Sequence, residues 1–142
     1  AGVELSDMIC PVESAEVTMG FSYNTEPVYS ATLKEYRSDH MGVDIGAKTG
    51  EKVKAALGGI VQTVYTDGKL GRTVVIAHEN GIKTVYSNLE DNINVLEGDD
   101  VAQGDVIGYV GKTATFEIED ATHLHFEVYQ DDVVVDPTPY IQ

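Results

Sequence analysis

The chain has 142 residues and one cysteine, Cys10, so no intrachain disulfide framework can hold it together. Basic residues are scarce: nine Lys and Arg stand against twenty-four Asp and Glu, for a formal charge of −15. A general binder of nucleic acid or anionic membrane neutralises phosphates with clustered Lys and Arg, and no such cluster exists here. The same deficit argues against adsorption to anionic cell-wall polymers and favours basic partners or metal cations. No run of eighteen apolar residues occurs, so no segment reads as a membrane-spanning helix. No basic-then-apolar start reads as a signal peptide. The chain opens on Ala1 rather than Met, and loss of an N-terminal piece such as a membrane anchor is the expectation. Linker-like and low-complexity stretches are missing too. With 42% apolar and 23% charged residues, the chain can bury a core. The expectation is one domain over residues 29–142, with a lead-in over 1–28 that packs on it.

Helix-like apolar periodicity is scarce, and strands dominate. Residues 60–66 are β-branched and aromatic and read as a strand, with 73–79 as hairpin partner across the Asp67-Gly68 turn. Asn80-Gly81 is the strongest short hairpin signal, because both residues tolerate positive φ. It leads into a strand at 82–89. Gly98, Gly104, Gly108 and Gly111 read as turns spaced between Val95, Val101, Val106 and Val110. A strand at 123–130 turns at Asp131-Asp132 into 133–136, and Pro137 and Pro139 close the domain. Residues 31–37 read as one or two helical turns. The fold class is therefore all-β and mostly antiparallel, with Gly-rich hairpins and little helix.

Chemistry concentrates in the histidines, of which there are four: His40, His78, His123 and His125. In the run His123-Leu124-His125-Phe126-Glu127-Val128, strand alternation puts Leu124, Phe126 and Val128 on a core face. His123, His125 and Glu127 share the opposite face, where two imidazoles make a metal-binding pair. A second segment is His40-Met41-Gly42-Val43-Asp44. Gly42, Val43 and Ile45 argue against a helix. In an extended chain the Cα atoms of His40 and Asp44 would lie roughly 13 Å apart. Both side chains then reach one metal only if the chain bends, as Gly42 allows. His40, Asp44 and one of the later pair supply two nitrogens and one oxygen. That donor set suits an open zinc site with water in the fourth position. Calcium would want more oxygens, and copper a sulfur ligand. The plain alternative is that these histidines are structural or merely exposed.

His-x-x-x-Asp followed by a distant His-x-His resembles the signature of the M23 (LytM or lysostaphin-like) zinc peptidases. Residues 58–61, 74–86 and 97–108 are similar to the central strands and Gly-punctuated hairpin of that family, and the likeness runs from Tyr29 to Ile141. It implies a lysostaphin-like fold, Zn2+ held by His40, Asp44 and His125, and His123 as general base. The implied substrate is a peptide cross-link of peptidoglycan. One position departs. Family members with activity carry Tyr-x-His-Leu, with a second active-site imidazole, where this chain has Tyr86-Ser87-Asn88-Leu89. Asn88 can donate a hydrogen bond but cannot exchange a proton near neutral pH. Losing one catalytic group commonly costs about two to four orders of magnitude. His78 alternates with Val74 and Ile76 and shares their buried face, so it does not compensate.

Residues 29–44 and the lead-in from Pro11 to Gly20 also resemble the stage II sporulation protein Q group within that family. This likeness implies a forespore-anchored ectodomain facing the space between forespore and mother cell. Its implied partner is a protein like stage III sporulation protein AH, bound in a bridge or channel. The function expected is thus a zinc-binding, catalytically degenerate interaction module, and the alternative is an active endopeptidase. Other features read plainly. Cys10 is a packing or surface thiol with no basic neighbour. Asp99-Asp100 and Asp131-Asp132 are solvated turns. The repeated Val-x-x-Gly-Asp pattern at 95–99 and 101–105 is also seen in lipoyl carriers, but Lys112 lies in no carrier motif. The pattern reads as repeated hairpin geometry.

Overall fold

The computed structural model describes residues 4–13, 16–21, 28–30, 35–37, 41–113 and 122–141, with backbone only at 28–30 and 35–37. The strands are β1 (Val17–Met19), β2 (Val28–Ser30), β3 (Glu35–Arg37), β4 (Val43–Gly46), β5 (Lys52–Lys54) and β6 (Gly59–Asp67). They continue as β7 (Gly71–Ala77), β8 (Ile82–Leu89), β9 (Asp100–Val101), β10 (Val106–Tyr109), β11 (His123–Gln130) and β12 (Val133–Val135). An eight-stranded antiparallel sheet runs in the order β1-β4-β11-β8-β7-β6-β9, with β12 also on β11. Two ribbons, β5–β10 and β2–β3, stand off it. Among the described residues the only helical pieces are single 3-10 turns, and no helix is long and apolar enough to cross a membrane.

Period-two alternation sorts the sheet into two faces. Val43, Ile45, Leu124, Phe126, Tyr86, Val74 and Ile76 lie on one face and are all essentially inaccessible. Against them pack Val53, Ala55 and Leu57 from the β5 side, Ile107 from β10, and Met8 and Val12 from the lead-in. The lead-in is also tied by backbone bonds, Ile9 N–H to Ala56 O and Lys54 N–H to Pro11 O. Burying an aliphatic side chain of this size contributes about 1.5–3 kcal/mol, so this face supplies most of the stabilisation.

The expected strands at 60–66, 73–79, 82–89, 123–130 and 133–136 are all present, within two residues at their ends. Asn80 and Gly81 both take positive φ, 59° and 74°, as the hairpin signal required. The repeated pattern builds one turn twice. Leu96 N–H donates to Asp99 Oδ2 and Ala102 N–H to Asp105 Oδ2, while Gly98 and Gly104 sit at φ 91° and 90°. Those carboxylates cap their own turns, which fits the plain reading of this region. Two expectations fail. Glu35–Arg37 is a strand paired antiparallel with Val28–Ser30, not part of a helix, and residues 31–34 lie outside the described residues. At 35–37 pairing with β2 outweighs a weak local helix propensity. The turns expected at Gly108 and Gly111 are absent: Gly108 lies within β10, and Gly111 lies just beyond it outside any turn.

Candidate metal and catalytic site

Sheet register assembles the site. His125 on β11 faces Asp44 on β4 on one side and Ser87 on β8 on the other. Opposed residues on an antiparallel pair share a face, so Asp44 and His125 meet although 81 residues separate them in sequence. Gly42 makes the approach of β4 possible. The chain bends there, and a Cβ at this position would run into the Phe126 carbonyl and the Glu127 side chain. The site face is not an open surface, as a simple two-faced strand would suggest: Asp44, His123 and His125 are each 1% exposed and Glu127 is 7% exposed.

Both ring nitrogens of His125 face carboxylates. Nδ1 stands 2.8 Å from Asp44 Oδ1, and Nε2 stands 2.8 Å from Glu127 Oε2. A neutral imidazole has a single N–H donor. Three arrangements satisfy both contacts: a ring carrying both protons, a protonated carboxyl donating to one ring nitrogen, or a cation on the Nδ1 side while Nε2–H donates to Glu127. His123 Nε2 lies 3.6 Å from Asp44 Oδ2, within ion-pair range but beyond a good hydrogen bond. Asp44 therefore sits between the two imidazoles. His40 lies outside the described residues. Among the described residues no group of three or more His, Cys, Asp and Glu is arranged to hold a metal ion.

The donor chemistry nevertheless fits zinc. A borderline cation takes imidazole nitrogen and carboxylate oxygen at about 2.0–2.2 Å. Two such donors on a tetrahedral ion stand about 3.3 Å apart, so the Asp44–His125 contact needs to open by only about half an ångström. Glu127 behind the ring is the carboxylate that zinc-binding histidines commonly carry on their second nitrogen.

Asn88 is buried, with φ 65°. Its Nδ2 donates 2.8 Å to the carbonyl of His123. β8 bulges here: Val74 pairs with Tyr86 but Arg72 pairs with Leu89, so three steps on β8 match two on β7. The amide braces the backbone that carries the site.

His78 lies on the core face with Val74 and Ile76, away from the site. Its Nδ1–H donates to Gly58 O at 2.7 Å and its Nε2 accepts from Thr84 at 2.7 Å. Thr84 in turn accepts from the Tyr86 hydroxyl at 2.8 Å, which accepts Ala56 N–H at 2.9 Å. This polar chain pins the Ala56–Gly58 loop to β8. Burial lowers the His78 pKa and pushes that of Tyr86 up to about 12. Burial also raises the Cys10 thiol, which suits a packing role.

Sequence reasoning put Glu127 on the site face but gave it no role, and did not single out Tyr129. Tyr129 O–H donates to Glu127 Oε1 at 2.8 Å. The period-two pattern 123, 125, 127, 129 was the available signal.

Residues 38–137 match the sequence profile of Peptidase family M23. Stage II sporulation protein Q of Bacillus subtilis is 36% identical over 99% of this chain, which spans about half (52%) of that relative's length. Among solved structures, a chain of the SpoIIQ–SpoIIIAH pore-forming complex superposes with TM-score 0.77 and 27% identity, over 98% of this chain and 93% of that one. A zinc-containing peptidase from Vibrio cholerae gives TM-score 0.76 and 28% identity, over 93% of this chain and 39% of that one.

Proposed function

Because the chain belongs to peptidase family M23, we propose that it is a zinc-binding M23 domain, weak or inactive in hydrolysis, that works as an interaction module in endospore formation. Residues 29–142 form the domain and 1–28 its lead-in. The domain sits outside the cytoplasm, anchored in the forespore membrane through a segment beyond this chain, and faces the space between the two membranes. Its partner is a mother-cell protein like stage III sporulation protein AH. The likeness to SpoIIQ, whose complex with SpoIIIAH is a solved structure, supports this placement. The observation that carries the reading is Asn88. Where the family expects an imidazole facing substrate, this chain has an amide that donates to the His123 carbonyl.

In this reading His40, Asp44 and His125 hold the zinc. Bound there, zinc supplies a Lewis acid for a peptide carbonyl and lowers the pKa of water. The chain's own residues do the rest. Glu127 accepts the hydrogen bond of His125 Nε2–H, which puts the ring's lone pair on Nδ1, the nitrogen that would ligate. His123 is placed to take or give one proton beside Asp44. Among the described residues no second imidazole stands opposite to share that task, and in this reading hydrolysis is weak while zinc binding is kept.

Partner capture with and without chelator tests the assignment. The partner protein should be retained by the zinc-loaded domain, and failure to retain it under either condition would sink the reading. The second reading, an active endopeptidase on peptidoglycan cross-links, is favoured by the paired Asp44 and His125 and by the nearby His123. Robust chelator-sensitive cleavage of peptidoglycan or glycine-containing peptides, lost in His123→Ala, would establish it instead.

A further inference from the structure

We propose that Glu127 and Tyr129 are positioning residues for the metal-ligating ring of His125, forming a three-member relay along one face of β11. The inference rests on the zinc reading above. Its basis is geometric. Residues 125, 127 and 129 alternate onto the same face, with neighbours about 7 Å apart along the strand. That spacing lets each side chain reach the next.

Glu127 is used at both oxygens: Oε2 meets His125 Nε2 at 2.8 Å, and Oε1 accepts the Tyr129 O–H at 2.8 Å. The first contact fixes which ring nitrogen carries the proton. It also fixes the ring plane, so that Nδ1 is aimed at Asp44 on the neighbouring strand. The second contact holds the carboxylate in the rotamer that makes the first. Tyr129 itself lines a groove of about 320 Å³ with Tyr65, Val75, Val85 and Lys83. Burial and the Glu127 charge both raise the Tyr129 pKa, so the phenol stays a donor at any working pH. Tyr129 touches no reacting atom and acts only through Glu127.

Carboxylates behind a zinc-bound imidazole change metal affinity by about 10- to 100-fold when removed. The test is zinc affinity, measured by competition with a chromogenic chelator, in wild type, Glu127→Gln and Tyr129→Phe. Folding of each is checked by circular dichroism. Glu127→Gln should weaken zinc binding by about 10- to 100-fold, and Tyr129→Phe by a smaller factor in the same direction. In nitrogen–proton correlation spectra of the zinc-loaded domain, the His125 Nε2–H proton should lie far downfield in wild type and move upfield in Glu127→Gln. A purely structural role would not move that resonance. If Glu127→Gln misfolds, Tyr129→Phe alone decides the matter. Variants that bind zinc as tightly as wild type overturn the relay and leave the metal assignment standing. A wild-type domain that takes up no zinc overturns both.

Discussion

At Asn88 two physical demands coincide. The residue sits in the left-handed region at φ 65°, where Asn is tolerated far better than most L-residues. Its amide also satisfies a buried carbonyl. Asn88→Gly should keep the backbone and lose the hydrogen bond, costing about 1–3 kcal/mol. Asn88→Ala should cost more, by about 1–2 kcal/mol for the strained φ. Urea unfolding of both variants checks the order, and an Ala variant as stable as the Gly variant would contradict it. Asn88→His asks the functional question. If the missing imidazole is what limits hydrolysis, this variant should gain cleavage of peptidoglycan fragments over wild type.

His78 gives a pH prediction with a definite sign. Burial lowers its pKa in the folded state, so the unfolded chain binds more protons below the ordinary histidine range. Its contribution is therefore present in full above about pH 6.5 and fades as the pH falls through the lowered folded value. His78→Gln should destabilise the domain most at pH 7 and progressively less toward pH 5. Denaturant midpoints of both proteins across that range test this.

Among the elements, the pairing of β4 with β11 matters most for the site, because it alone brings Asp44 to His125. Gly42 guards that pairing. Gly42→Ala forces a methyl into the Phe126 carbonyl, and overpacking of this kind costs about 1–3 kcal/mol. It should also push Asp44 off His125 and weaken zinc uptake. Gly68→Ala, with nothing within 4 Å of the new methyl, is the control and should change neither quantity. Melting temperature and zinc titration of the two variants separate backbone crowding from any general effect of losing a glycine.

Over the whole molecule, the charge of −15 sets how the domain meets its surroundings. If the partner proposed above presents a basic face, the attraction is screened within about 8 Å at physiological salt, and capture rates should then fall as ionic strength rises. On the zinc reading proposed above, a bound ion would offset two of these charges. As a ligand of the folded state alone, at a hundredfold excess over its dissociation constant it should add about 2.7 kcal/mol of stability. Thermal melts with zinc and with chelator measure that gain, and identical melts would argue against a site in the folded domain.

Local sequence determined a great deal here, because its signals are short-range. The strand at 123–130 was located to the residue, Asn80-Gly81 forced its turn and led into the strand at 82–89, and the repeated Gly-Asp pattern forced the same capped turn twice. The spacing of histidines and the carboxylate of Asp44 carried the resemblance to a zinc family. What the sequence could not give depends on partners far along the chain. Residues 35–37 became a strand because β2 pairs with them. Glu127 and Tyr129 acquired a role because register aims His125 at Asp44 and leaves its far nitrogen to be held. Asn88 stands out in sequence only as an amide where the resemblance implies an imidazole. Only the fold shows that its amide is engaged with the His123 backbone, since a hydrogen bond across a sheet depends on which strands become neighbours.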